Sequence, residues 1–129
     1  MIDLSLSKSE IIRSTLRKGT NIEGTLFRCY YKVFTDRASK EKIIFTISVP
    51  RRVKKAVDRN RIKRLVRESI RLSKSILENI ITQPNQLLSL YIIYKINSFN
   101  LVHIPKYDKV NDDITSILET ISQRLKRNG

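Results

Sequence analysis

The stretch from about Asp58 to Ile80 constrains this chain most, because at about 100° per residue it sorts into two unlike faces. Ile62, Leu65, Val66, Ile76, Leu77 and Ile80 gather on one side, with Ser69 and Ser73 among them. Asn60, Lys63, Arg64, Arg67, Arg71 and Lys74 gather on the other. A helix of this kind must bury its apolar side against another layer. Its second side then stands as a stripe of guanidinium and ammonium groups, with rungs about 5.4 Å apart along the axis. That spacing suits several phosphates of one strand, and arginine adds a planar fork that meets phosphate oxygens two at a time. Glu68 is placed to pair with Arg64 at i,i+4 or with Arg71 at i,i+3, holding those side chains extended.

The rest of the chain supplies the layer against which that helix packs. Ser7 and Glu10 have capping-box spacing, so a short helix through Ile11, Ile12 and Leu16 is expected, ended by Gly19. Gly24 to Phe34 reads as a strand, and Gly19 to Gly24 as a possible short strand before it. In the longer strand Phe27, Cys29, Tyr31 and Val33 form an apolar face; Leu26, Arg28, Tyr30, Lys32 and Phe34 mix cations with aromatics on the other. Thr35 to Lys40 is a polar turn. Lys42 to Val49 is the next strand, with Ile43, Phe45, Ile47 and Val49 toward the core and Thr46 and Ser48 opposite. Pro50 ends it, a break around Pro84 follows the long helix, and Leu87 to Ile96, apolar on both faces, reads as a central strand. Ser98 to Asn111 is expected to be irregular. Asp112 and Asp113 then cap a final helix with Ile114, Ile117, Leu118, Ile121 and Leu125 on one stripe.

The charge narrows the partner. Lys and Arg total 26 against 12 Asp and Glu, a net +14 that repels itself unless a polyanion is near. Between Arg59 and Lys74 the basic side carries almost no acids, unlike an ordinary solvated helix. Arg51, Arg52, Lys54 and Lys55 add charge just upstream. Nucleic acid is the leading partner on charge and an anionic membrane surface the weaker option; charge alone does not separate RNA from duplex DNA. No apolar stretch approaches a bilayer span, and no secretory signal opens the chain, so a cytoplasmic protein without a membrane partner is expected. The 129 residues suit one domain over 1–129. Cys29 is alone, which excludes an internal disulfide and a cysteine metal cluster. His103 is the single histidine, and Asp112-Asp113 the adjacent acidic pair, so neither a His/Lys acid–base pair nor a carboxylate metal site is legible.

The run Arg59-Asn60-Arg61-Ile62-Lys63-Arg64-Leu65-Val66-Arg67-Glu68 resembles the signature of the bacterial ribonuclease P protein family. Phe45-Thr46-Ile47-Ser48-Val49, Arg51-Arg52 and Ala56-Val57 fit the same block, and element order fits from about Ser7 to Leu125. The resemblance implies an α+β two-layer sandwich of order α-β-β-β-α-β-α, ribosomal protein S5 domain 2-like, with a left-handed β-α-β crossover, an exception to the usual hand. It implies the protein subunit of an endoribonuclease holoenzyme that removes the 5′ leader of precursor tRNA. The catalytic RNA would hold Mg²⁺ and carry catalysis. The partners implied are ribonuclease P RNA and precursor tRNA, with no protein partner required and no catalytic residue in the protein. Carried over position by position, Arg51, Arg52, Arg59, Asn60, Arg61, Lys63, Arg64 and Arg67 match the RNA-contacting block, and Arg71 extends it along the helix. A leader cleft would be lined by Ile12 and Leu16 of the first helix and by Arg28, Tyr30 and Lys32 of the sheet. The family usually places aromatics at the two helix positions; Ile12 and Leu16 keep apolar contact there without ring stacking. Pro50 stands where the family often has Ser, and Lys54 where Gly is common.

Overall fold

The computed structural model describes residues 7–35, 42–79, 81, 85–97 and 103–128. In chain order they form α1 (Lys8–Lys18), β1 (Thr20–Glu23), β2 (Phe27–Phe34), β3 (Ile43–Ser48), α2 (Ala56–Ser73), α3 (Ser75–Glu78), β4 (Leu87–Tyr94) and α4 (Tyr107–Asn128). The expected α+β order is present, with the short strand before β2 included. Most of the expected turn over Thr35–Lys40, the residues around Pro84, and Ile80 lie outside the described residues.

The sheet runs β1-β2-β4-β3. β2 pairs antiparallel with β1 and β4, while β3 pairs parallel with β4. Parallel neighbours cannot be joined by a hairpin, so the chain between β3 and β4 crosses over a sheet face, and α2 is that crossover. The central position of β4 explains its apolar residues on both faces.

Alternation along the strands builds one large core. Phe27, Cys29 and Tyr31 of β2 and Leu88, Leu90, Ile92 and Tyr94 of β4 lie on the same face, buried with Ile62, Val66 and Ile70 of α2 and Val110, Ile114, Ile117, Leu118 and Ile121 of α4. Ile43, Phe45 and Ile47 pack against this core. The opposite face carries a smaller cluster of Ile11, Phe34, Ile44 and Leu87, where α1 covers part of the sheet. Burial pushes the Cys29 thiol up to about 12, so it stays protonated and acts as a small apolar side chain.

The serines on the apolar side of α2 have a packing role. Ser69 Oγ donates to Asn111 Oδ1 at 2.8 Å, and Ser73 Oγ lies 3.4 Å from Thr115 Oγ1. Small polar side chains at i and i+4 thus join α2 to α4 where bulky ones would hold the helices apart. Ile70, left off the apolar side by the sequence reading, is fully buried.

The N-cap half of the expected capping box is present: the Glu10 backbone N–H donates to Ser7 Oγ, and that hydroxyl donates in turn to Glu10 Oε1, each at 3.2 Å. Gly19 ends α1 in an extended conformation, with its N–H on the Thr15 carbonyl at 2.9 Å. A side chain is excluded there by close approach, since a Cβ would sit 2.3 Å from that carbonyl oxygen and 2.9 Å from the Tyr31 oxygen.

The last helix corrects two expectations. α4 begins at Tyr107, inside the stretch expected to be irregular, so Asp112 and Asp113 sit within the helix and do not cap it. Asp113 instead accepts the backbone N–H groups of Thr25, Leu26 and Phe27 at 2.7, 3.0 and 2.9 Å. The donors of the β1–β2 connection are satisfied by a helix 86 to 88 residues away in sequence. Gly24 permits the approach, because a Cβ there would lie 2.7 Å from both Asp113 carboxylate oxygens.

Candidate nucleic-acid interface

The long helix breaks at Lys74 into α2 and α3, so the basic stripe belongs to α2 and the turn that follows it. α2 starts at Ala56 without a side-chain cap, and Lys55 precedes it in extended conformation. Arg59 supplies the missing order. Its Nη1 donates to the carbonyls of Val53 at 2.6 Å and Lys54 at 2.9 Å, tying the Pro50–Lys55 connection to the first turn of the helix. Val53 is buried in the core, which anchors that connection, while Arg51 and Arg52 are exposed on it.

Asn60, Arg61, Arg64, Arg67 and Arg71 are exposed, and Lys63 is half-buried at the margin. Arg59, grouped with them from sequence, is half-buried and engaged with the backbone. Glu68 pairs with Arg71, and each holds the other in its charged form: the carboxyl lies below its usual range and the guanidinium above. Of the two pairings open from sequence, the structure shows the one with Arg71. Two apolar residues also stand in water on α2, Val57 at 68% and Leu72 at 58% exposure. Leu72 was not singled out from sequence, and Val57 was named only for its fit to the family block.

The second face of the sheet holds the expected cleft residues. Register places Asn21, Tyr30, Tyr91 and Thr46 in one row across the four strands, and Glu23, Arg28, Ile93 and Ser48 in the next but one. Beyond the Tyr30 row, at Lys32, Ser89 and Ile44, α1 packs on the sheet: Thr15 Oγ1 donates to the Ile11 carbonyl and accepts from Ser89 Oγ, each at 2.8 Å. Tyr30, Tyr91, Thr46, Ile93 and Ser48 stay half-buried. Ile12 is half-buried and Leu16 is 40% exposed, an i,i+4 pair beside the buried Ile11–Thr15 edge of α1.

Both cleft cations already have partners. Lys32 Nζ donates to Ser14 Oγ at 2.9 Å and lies 5.0 Å from the centre of the Phe34 ring. Arg28 Nε donates to Glu23, which also takes Lys95 Nζ at 3.1 Å. The Lys95 and Arg28 hydrogen bonds hold the Glu23 carboxyl below its usual range, and Glu23 holds the Arg28 guanidinium above its own. Tyr91 is the residue that sequence reading missed. It is directly opposite Tyr30, and its signal was a phenol, one of two with Tyr94, in a strand read as core on both sides.

Among the described residues no three His, Cys, Asp or Glu side chains come together as a metal site, and no helix is long and apolar enough to cross a membrane. Asp113 is committed to three backbone donors.

Residues 3–121 match the sequence model of the family described as Ribonuclease P. The ribonuclease P protein component of Exiguobacterium sp. is 27% identical over 121 residues, 94% of this chain and 89% of that protein. The corresponding component of Bacillus velezensis is 30% identical over 73 residues, 57% of this chain and 60% of that one. Among solved structures, the RNase P protein from Thermotoga maritima superposes with a TM-score of 0.67 at 18% identity, covering 89% of this chain and 94% of that one. The RNase P protein of Staphylococcus aureus gives 0.64 at 18% identity, over 93% and 96%. These structures share the fold, and the sequence match across nearly the whole chain carries the conclusion that it belongs to the ribonuclease P protein family.

Proposed function

We propose that the chain is the protein subunit of a ribonuclease P holoenzyme, binding the catalytic RNA and the 5′ leader of precursor tRNA while the RNA performs the cleavage. The observation that carries this reading is the exposed, basic outer side of α2, opposite a fully packed one and preceded by exposed Arg51 and Arg52. Asn60, Arg61, Lys63, Arg64, Arg67 and Arg71 would meet phosphates of the catalytic RNA. Arg59 serves by holding the connection that presents Arg51 and Arg52.

The open rows of the second sheet face suit an unpaired strand. Tyr30 and Tyr91 offer ring surfaces to bases, while Arg28 and Lys32 sit at their margins for phosphates. Ile12 and Leu16 add apolar contact without stacking. Mg²⁺, held by the RNA, would activate the attacking water and stabilise the leaving oxygen. The protein would lower the repulsion between two polyanions and hold the leader in place. A Tyr30→Ala variant is expected to weaken leader-bearing precursor by about tenfold, the scale of one base stack, and to leave mature tRNA binding nearly unchanged. Equal loss for both would remove Tyr30 from the cleft.

Reconstitution tests the reading as a whole. Cleavage of precursor tRNA by a bacterial ribonuclease P RNA at low Mg²⁺ should require the protein. Copurification of ribosomal RNA alone, with no rescue of cleavage, would point instead to a structural RNA-binding protein.

A further inference from the structure

β3 ends the sheet, and among the described residues no strand lies on its outer side. The Leu88 N–H donates to the Lys42 carbonyl at 2.8 Å. In a parallel ladder that pattern turns the even-numbered backbone groups of β3 toward β4 and the odd-numbered ones outward. A groove of about 620 Å³ lies along this edge, and among the described residues Lys8, Lys42, Arg67 and Lys74 line it with a single carboxylate, Glu78. The half-buried Phe45 also lines it.

The cations come from four separate places: the start of α1, the approach to β3, the middle of α2 and the turn after it. A lysine beside an edge strand is often there to prevent strand pairing. Lys42 alone would serve that purpose, and it leaves unexplained why Lys8 of α1 converges on Arg67 and Lys74 of the α2 stripe. Among the described residues four cations against one carboxylate match a polyanion, and a groove beside a single strand suits one chain of phosphates.

We propose that the groove along the open edge of β3 binds the sugar–phosphate backbone of single-stranded RNA, as a surface additional to the outer side of α2 and to the cleft beside α1. Lys8, Lys42 and Lys74 lie outside the family's basic block, so the proposal reaches beyond the function given above. Arg67 borders both surfaces, which makes the groove continuous with the α2 stripe. The bound strand is either the leader running on from the cleft or a segment of the catalytic RNA.

The test uses the full chain with Lys8→Ala/Lys42→Ala, two exposed positions whose loss leaves the cores untouched. Binding of a single-stranded oligouridylate should weaken about five- to tenfold, and the slope of log affinity against log salt should fall by roughly 1.4, two contacts at about 0.7 each. A duplex RNA of the same length should bind unchanged, and Lys8→Arg/Lys42→Arg should retain the slope. An unchanged single-strand slope, or an equal loss for duplex, would overturn the groove, as would displacement of the oligouridylate by an acidic extended peptide at lower concentration. This protein-only measurement is independent of whether the chain supports cleavage. In the reconstituted holoenzyme, a crosslinker on Lys42→Cys, selective because the native thiol is buried, should mark leader or catalytic RNA and so identify the strand. Absence of any RNA adduct would count against the proposal.

Discussion

An Arg64→Ala/Arg67→Ala/Arg71→Ala variant should bind ribonuclease P RNA on the order of 100-fold more weakly than the parent chain, with a salt slope lower by about 2 to 3. The three guanidiniums are exposed on one side of α2 within two turns, about 10.5 Å along the axis. Each can make one charge-assisted contact with a phosphate worth about 1 kcal/mol net. None belongs to either apolar cluster, so the melting temperature should move little; loss of the Glu68–Arg71 pair, exposed on both sides, has a small effect on stability. Filter binding or fluorescence anisotropy across a salt series measures both quantities. Loss of affinity with an unchanged slope would mean that the arginines act through something other than phosphate contact.

Replacing Asp113 by alanine should have the opposite signature, a large loss of stability with RNA affinity retained. The carboxylate accepts three backbone N–H groups of the β1–β2 connection, and its removal strands the buried Phe27 donor. Water can reach the other two more readily, so the cost should be about 3 kcal/mol, well short of three separate charged hydrogen bonds. For a chain of this size that corresponds to a fall in melting temperature of about 10 °C. Asp113→Asn, which retains one acceptor oxygen, should fall between the two. A thermal melt followed by circular dichroism decides the matter: an unchanged midpoint would show that the hairpin is held by its own strand pairing alone.

What was legible in the sequence follows from where the information lies. The two sides of α2 could be read because a 3.6-residue period survives whatever the helix packs against, and Ile62 and Val66 are fully buried as that period requires. The same holds for β2, whose alternation separates Cys29 and Tyr31 from Tyr30 and Lys32. Asp113 could not be read in this way. A carboxylate near an apolar stripe has the local pattern of a helix cap, and only tertiary structure brings it to Thr25–Phe27. The break at Lys74 has neither Gly nor Pro to announce it. Arg59 lies in the signature run like its neighbours, yet helical rotation turns it back onto the Val53 and Lys54 carbonyls. Tyr91 was hidden in a strand apolar on both faces, and its place beside Tyr30 depends on a pairing register that no local pattern contains.

The proposed role rests on the outer side of α2 as the surface that joins the chain to ribonuclease P RNA. Single-turnover cleavage of precursor tRNA by a bacterial ribonuclease P RNA at low Mg²⁺, with the parent chain or the Arg64/Arg67/Arg71 triple-alanine variant, tests it most directly. The parent chain should restore cleavage, and the variant, folded and at the same concentration, should fail to restore it until protein or Mg²⁺ is raised. Equal rescue by both proteins, or rescue by neither, would contradict it.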